Sequence, residues 1–189
     1  MTMLQTVANP MLPRGTIGFF SQSGARGIAI MGWAIGNDVG CSKFVRLGNK
    51  ADLSEIDVIE YFMGDPQTDL ILGYIEDVVN GRRFIDVAAR ATKVKPIILL
   101  KSGGTEAGAR AASSHTGALA GSDTAFDAAF RQTGIVRAQG VQDLFDTALA
   151  FAEGKMPAGN GLLIVTNAGG PGITAADSAE RLGIALPHM

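Results

Sequence analysis

The sequence predicts an α/β protein in which helices cover both faces of a parallel β-sheet. From about Gly15 onward, short apolar and β-branched runs alternate with segments whose apolar residues repeat with the period of a helix. The clearest helix spans residues 141–152, where one apolar stripe is continuous. The runs with the length and composition of strands are residues 16–20, 43–47, 70–75, 96–100 and 135–137. Strands joined by right-handed helical crossovers give a doubly wound, flavodoxin-like sheet.

Two further helices are predicted from their starting signals. Asp52 and Glu55, three positions apart, resemble a capping box at the start of one helix. The other helix covers residues 122–132 and has Ser122 or Asp123 as its N-cap. Its buried face is expected to consist of Ala125, Phe126, Ala129 and Phe130.

The chain is predicted to hold one full domain and the beginning of another. Residues 1–14 resemble the end of a linker, and residues 15–154 form the sheet domain. Residues 155–161 are rich in Gly, Pro and polar residues and predict a second linker. Residues 162–187 then supply one strand (162–166), a glycine turn and one helix. A single βα unit is too small to bury its own sheet face, so it either docks on the first domain or begins a truncated second domain.

Composition predicts a soluble cytoplasmic protein. The chain has 189 residues, 47% of them hydrophobic, which is enough for a buried core. No apolar run approaches the roughly 18 to 20 residues of a membrane helix, and the first residues lack the pattern of a signal peptide. Cys41 is the single cysteine, which excludes an internal disulfide. With 16 basic and 18 acidic residues, the charge is too balanced to predict nucleic acid binding.

His115 is the residue whose setting most suggests chemistry. It is one of two histidines, the other being His188, and it lies in the run SSHTGALAGSD at residues 113–123. The run follows the predicted strand at 96–100, and ligands usually bind at the carboxyl edge of such a sheet. Nothing bulky between residues 109 and 120 would bury the ring. A lone histidine is more often structural, but a loop of small residues favours an exposed histidine suited to transfer chemistry.

The turn after the first predicted strand is a candidate anion site. Small residues leave backbone N–H groups uncovered there, and the amino terminus of the following helix carries about half a positive charge. The alternative is an ordinary capped turn between a strand and a helix. The turn consists of Ser21, Gln22, Ser23 and Gly24.

Glu76 and Asp77 follow the third predicted strand and reach the same edge of the sheet. An imidazole is nucleophilic when one ring nitrogen is unprotonated while the other carries the proton. A carboxylate that accepts this N–H would fix the tautomer and stabilise the resulting cation. The alternative is that both residues merely begin the loop before a helix at residues 82–93.

Three segments resemble the NDP-forming acyl-CoA synthetases, the superfamily that includes succinyl-CoA synthetase. They are KSGGTEAGARAASSHTGALAGSD, SQSGA and GNKAD, and the resemblance covers about residues 12–186. It implies that His115 is phosphorylated and dephosphorylated during turnover, and that Glu76 holds its imidazole with Asp77 in reserve. The phosphate-binding residues implied by this resemblance are Ser21, Gln22, Ser23, Gly24 and Gly117.

The resemblance also implies a reaction and a set of partners. An acyl-CoA and phosphate give an acyl phosphate, His115 takes the phosphoryl group, and its loop carries that group to ADP or GDP. CoA, ATP or ADP and Mg²⁺ are then held by a CoA-binding domain and by an ATP-grasp domain or β subunit, in an oligomer. This piece alone is expected to hold no cofactor or metal and to be inactive. The alternative is a non-catalytic regulatory copy fused to a protein lysine acetyltransferase, although the presence of both Glu76 and His115 favours catalysis.

The sequence leaves the roles of several nearby residues undecided between ligand contact and simple solvation. Asn49 or Lys50 in the GNKAD segment contacts a ligand or belongs to a solvated turn. Lys101 and Arg110 flank the loop of His115 and either balance phosphate charge or are simply solvated. The glycine turn at residues 167–172 lacks the spacing of a dinucleotide motif and is a weak signal.

Overall fold

One five-stranded parallel sheet forms the centre of the computed structural model, which describes residues 13–48, 50, 52–78, 80–104, 122–153 and 157–187. The strands are β1 (Arg14–Ser21), β2 (Cys41–Arg46), β3 (Leu70–Ile75), β4 (Ile97–Lys101) and β5 (Val136–Ala138). Their order is β2-β1-β3-β4-β5, and every neighbouring pair is parallel. This order is that of a flavodoxin-like fold, with its switch point between β1 and β3. All of the predicted strands of the first domain are confirmed, with ends shifted by one or two residues.

Helices cover both faces of the sheet, as the alternation predicts. In the described part of the sheet unit they are α1 (Gly24–Gly36), α2 (Glu55–Gly64), α3 (Gly81–Ala91), α4 (Asp123–Thr133) and α5 (Val141–Glu153). One apolar cluster lies between the sheet and α2, α3 and α4, and the other lies between the sheet and α1 and α5. All six residues of β3 are buried because helices pack on both of its faces.

Gly73 shows how closely the central strands pack. A Cβ placed on this residue would overlap the side chains of Phe20 and Leu99. The strand therefore needs a residue without a side chain here, which lets the aromatic ring from β1 cross over β3.

The start of α2 differs from the predicted capping box. The helix begins at Glu55 after Ser54, whose backbone N–H and hydroxyl both donate to the Asp57 carboxylate at 2.9 and 2.6 Å. The predicted pairing of Asp52 with Glu55 is wrong, because the Glu55 side chain is fully buried and serves a long-range contact instead.

The buried face of α4 is narrower than predicted. Ser122 is its N-cap residue, as expected, but its side chain makes no capping hydrogen bond. Phe130 is buried, Phe126 is half-buried and Ala125 is exposed, so the expectation that all four apolar residues are buried is wrong. The reason is that Ala125 and Phe126 line an open apolar cavity of about 310 Å³ between α3 and α4.

The chain divides into two compact units, Met1–Gly154 and Lys155–Met189. The described part of the second unit contains α6 (Gly169–Arg181) and one isolated parallel bridge between Gly161 and Ala185. The predicted strand at residues 162–166 is wrong, since these residues are not assigned to a strand. An apolar run becomes a strand when it has a neighbouring strand to pair with, and the described part of this unit offers a single bridge.

Asp65 gives the fold a contact that depends on pH. Its carboxylate accepts hydrogen bonds from Lys43 Nζ at 2.6 Å and from Thr68 Oγ1 at 2.7 Å. The hydrogen bond from Lys43 is the main reason why the pKa of Asp65 falls from 3.8 to about 2. A carboxyl whose pKa is lower in the folded state stabilises the fold above its unfolded pKa, and this contribution is lost as the pH falls toward the folded pKa.

We therefore expect Asp65→Asn to lower the urea midpoint of unfolding near neutral pH. The difference from the unsubstituted chain should shrink as the pH falls from about 4 to about 2. Urea titrations followed by circular dichroism at several pH values across this range measure this difference in urea midpoint. A difference that stays constant with pH would show that the ionised carboxylate is not what stabilises this contact.

Candidate active site

The carboxyl ends of β1, β3 and β4 bring most of the described candidate residues to one edge of the sheet. Ser21 ends β1 opposite Tyr74 of β3, and Ile75 of β3 lies opposite Lys101 of β4. The turn into α1 and the carboxylate of Glu76 thus leave neighbouring strands at the switch point. This is the position at which sheets of this order bind ligands.

The amino terminus of α1 has the features of an anion site. The Ser23 side chain caps the helix by accepting from the backbone N–H of Arg26 at 3.5 Å, and the first turn contains no acidic residue. A Cβ on Gly24 would overlap the guanidinium of Arg46, so glycine lets this exposed cation approach the helix end. The N–H groups of a first helical turn lack intrahelical partners, and the helix dipole adds positive charge.

Ser21 and Gln22 have internal partners, in contrast to the direct phosphate contact that the resemblance implies. The Ser21 hydroxyl donates to the carbonyl oxygen of Ser23 at 2.7 Å, and the Gln22 backbone N–H donates to the carbonyl oxygen of Tyr74 at 3.1 Å. These bonds shape the turn and leave the backbone N–H groups of the N-cap residue Ser23 and of Gly24, the first helical residue, in a position that fits an anion.

The Gln22 side chain bridges β1 to the residues that follow β3. Its Oε1 atom accepts from the backbone N–H groups of Glu76 at 2.6 Å and Asp77 at 3.2 Å. Its Nε2 atom donates to Glu55 Oε2 at 3.1 Å and to the carbonyl oxygen of Asp77 at 2.9 Å. The amide therefore makes four hydrogen bonds and holds the peptide groups on both sides of Glu76.

Lys50 is held inside the protein. Its ammonium forms ion pairs with the carboxylates of Asp77 and, at 3.4 Å, Glu55, and its side chain is 10% exposed. It therefore lies in an internal ion-pair cluster and not in the solvated turn that was one of its two predicted settings. Asp77, predicted as the reserve carboxylate, has its charge balanced by Lys50.

Tyr74 links Glu76 to β4 and was missed by the sequence analysis. The pKa of its phenol is raised, mainly by burial and also by Glu76. A hydrogen bond with Ser102 and the charge of Arg26 act in the opposite direction. The phenol is thus protonated at neutral pH and can donate to the Glu76 carboxylate. The guanidinium of Arg26 lies 5.4 Å from the centre of the Tyr74 ring. Aromatic residues inside strands usually indicate core packing, so the sequence carried no signal for this role.

A polar cavity of about 440 Å³ adjoins these side chains. Arg26, Tyr74, Ser102 and Arg137 contribute to its wall. Asp123 fixes Arg137 with an ion pair at 2.6 Å, and a second aspartate, Asp127, also contacts its guanidinium. Asp123 and Lys101 line the same cavity, so its wall combines three basic side chains with a carboxylate that is already paired with Arg137.

Lys101 is buried, so the alternative that it is simply solvated is wrong. Its ammonium donates to the carbonyl oxygen of Ser102 and lies 4.6 Å from the centre of the Phe126 ring. Burial is the main cause that lowers the pKa of this lysine. Its contacts therefore anchor the end of β4, from which the segment containing His115 departs.

His115 and Gly117 lie outside the described residues, as do Asn49 and Arg110. Their predicted roles stay predictions. Among the residues that the structure does describe, no group of three or more His, Cys, Asp or Glu side chains could hold a metal ion. Within those same ranges, no helix is both long and apolar enough to span a membrane.

The strand order defines a flavodoxin-like domain, and the edge residues make its switch point a candidate anion site. More specifically, the chain belongs to the family of succinyl-CoA ligase like flavodoxin domains, whose family model matches residues 14–151. The predicted resemblance and fold are thereby confirmed.

Relatives and solved structures agree on this family. The chain is 48% identical to the alpha subunit of acetate–CoA ligase (ADP-forming) I of Pyrococcus furiosus, over 91% of this chain and 37% of that protein. It is 50% identical to acetate–CoA ligase (ADP-forming) I of Archaeoglobus fulgidus, over 93% of this chain and 25% of that protein. The structure of dinucleotide-forming acetyl-coenzyme A synthetase 1 of Ca. Korarchaeum cryptofilum, in complex with phosphate and ADP, matches with a TM-score of 0.89 and 45% identity. That match covers 93% of this chain and 38% of the other, so the chain spans about a quarter to two fifths of these relatives.

Proposed function

We propose that this chain is the phosphohistidine-carrying domain of an NDP-forming acyl-CoA synthetase. The observation that carries the proposal is that the amino terminus of α1 and the Glu76 carboxylate leave adjacent strands at the switch point. One of these features suits a phosphoryl group and the other suits an imidazole. The ligase names of the relatives support the same reaction class.

In the proposed reaction His115 is a covalent carrier. A nitrogen of its imidazole attacks the phosphorus of an acyl phosphate, so that an N–P bond forms while the bond to the acyl oxygen breaks and the acid leaves as a carboxylate. A terminal oxygen of the nucleoside diphosphate then attacks the phosphorus, and the N–P bond breaks. Covalent relay divides one difficult transfer into two easier ones.

The described side chains have distinct tasks in these steps. Glu76, beside Tyr74, accepts the N–H of the imidazole and stabilises the cation that forms on phosphorylation. The backbone N–H groups of Ser23 and Gly24 at the helix end bind the phosphoryl oxygens, and Arg26 adds positive charge. Gly117 is proposed to contact the same group from the loop of His115.

In this proposal, partner modules supply the binding sites for CoA and for the nucleotide with its Mg²⁺. Two of the matched relatives are named as alpha subunits, which supports a partner subunit. We assign CoA to a CoA-binding domain and the nucleotide with its Mg²⁺ to an ATP-grasp domain or β subunit, within an oligomer. A cytoplasmic location is part of this proposal.

Complementation tests the function. The purified 189-residue chain should show no ATP consumption that depends on both acid and CoA, and activity should appear when the CoA-binding and ATP-grasp modules are added. The His115→Ala chain, added in the same way, is the matched control and should restore nothing. Steady turnover by the chain alone would contradict the need for partners. Failure of the complete set would contradict catalysis and favour the regulatory alternative.

A further inference from the structure

We propose that Gln22 is a positioning residue that sets the main chain of Glu76 and does not itself bind phosphate. This inference rests on the proposed function only in the role given to Glu76. The Gln22 side chain is 8% exposed, and both ends of its amide are already hydrogen-bonded inside the protein. A phosphate oxygen would have to displace one of these partners.

The bonding pattern requires an amide at this position. One end of Gln22 meets two N–H donors, those of Glu76 and Asp77, and the other end meets two acceptors. A primary amide has an acceptor oxygen and a donor nitrogen, which match these partners. A glutamate would place a second carboxylate against the Glu55 carboxylate, at the 3.1 Å that now separates donor from acceptor. A methionine of similar length would leave the buried donors and acceptors without partners.

The partner of Gln22 is itself fixed. Glu55 is fully buried in the first turn of α2, and Lys50 lies 3.4 Å from its carboxylate. Lys50 also pairs with Asp77, the residue next to Glu76. The turn after β3 is therefore tied to both β1 and α2, and Gln22 accepts the hydrogen bond of the Glu76 N–H.

This frame has a direct consequence for the site. The Glu76 side chain leaves a backbone whose N–H is held at 2.6 Å by Gln22. If that bond is lost, the peptide keeps the hydrogen bond from the Ser102 N–H to the Ile75 carbonyl oxygen at 3.0 Å. The Glu76 N–H is then unrestrained, and the carboxylate can shift away from the imidazole it serves. A misplacement of about 1 Å in a reacting group can cost about 100-fold in rate.

An exchange of donors and acceptors tests the inference. Gln22→Met in the assembled enzyme removes the acceptor of the Glu76 and Asp77 N–H groups and should slow His115 phosphorylation by about 10- to 100-fold in rapid-quench experiments. Gln22→Glu keeps an acceptor for these N–H groups but places its carboxylate against Glu55 and against the Asp77 carbonyl oxygen, so it should cause a smaller loss. Glu55→Gln, added to Gln22→Glu, relieves only the contact with residue 55 and should recover part of that smaller loss. Glu55→Gln alone completes the cycle and measures its separate effect. A Gln22→Met enzyme that phosphorylates His115 at the unsubstituted rate would overturn the proposal.

Thr68→Val is the matched structural control. Thr68 is also buried and hydrogen-bonded, to Asp65 and Ser42, but it precedes β3 and so lies at the opposite edge of the sheet. Thr68→Val should lower the urea midpoint yet leave the phosphorylation rate unchanged. If Thr68→Val slows phosphorylation as much as Gln22→Met, the effect of Gln22 is general destabilisation and positioning is refuted.

A second measurement does not need the partner modules. In the chain itself, Gln22→Met should speed amide hydrogen exchange at Glu76 and Asp77, measured by NMR, relative to the Thr68→Val chain of similar stability. Unchanged exchange at both amides would overturn the inference. If the unsubstituted enzyme forms no phosphohistidine while the exchange result is positive, the proposed function fails and the positioning contact stands.

Discussion

Replacement of His115 by alanine is expected to abolish phosphoryl labelling of the chain in the assembled synthetase. The imidazole is the proposed attacking group, and no other side chain in the run SSHTGALAGSD can form a phosphoramidate. The label on the unsubstituted chain should be labile in acid and stable in alkali, as expected of phosphohistidine. Incubation with radioactive ATP or acyl phosphate and the partner modules, followed by acid and alkali treatment, measures it.

The other histidine of the chain provides the control. His188→Ala removes the same functional group from the end of the chain and should label like the unsubstituted protein. If His115→Ala retains the same extent of acid-labile label, the assignment of the carrier is wrong. If His188 is phosphorylated in the His115→Ala chain, the label will disappear when His115→Ala and His188→Ala are combined.

The second large effect is expected for Glu76→Gln, which should slow His115 phosphorylation by roughly tenfold to a thousandfold. Glutamine keeps the size of the side chain and can still accept the N–H of the imidazole. It lacks the negative charge that stabilises the cation formed on phosphorylation, so the loss falls on the rate more than on folding. Rapid-quench measurement of the phosphorylation rate, paired with a urea titration, separates the two effects.

Asp77→Asn is the matched variant for this comparison. The sequence analysis gave Asp77 a reserve role or placed it at the start of a loop, and in the structure its carboxylate pairs with Lys50. We therefore expect Asp77→Asn to lower the urea midpoint while slowing phosphorylation much less than Glu76→Gln does. A Glu76→Gln enzyme that phosphorylates at the unsubstituted rate would remove Glu76 from the mechanism. Equal losses in both variants would mean that either carboxylate serves His115.

Glu76 and Asp77 show which features of the site can be predicted from local sequence. Their place after an apolar run was enough to predict that both lie at the carboxyl edge of the sheet, and the structure confirms that position. Their different partners could not be predicted in the same way. Lys50 and Asp77 are 27 positions apart, and Gln22 and Asp77 are 55 apart, so no local pattern connects them.

The sequence by itself determined the five strands of the sheet, most of the helices and the edge at which the candidate site lies, but not the absence of a strand at residues 162–166. Burial on one or both faces leaves a periodic trace in the sequence, and the carboxyl ends of parallel strands must meet at one edge. Tertiary structure decided which polar side chains pair there: Ser54 with Asp57 at the start of α2, and Glu55 with Gln22. A buried polar group needs a partner, but many residues offer the same donor or acceptor. The packing of the carboxyl ends of β1 and β3 beside the start of α2 decides which donor lies next to which acceptor.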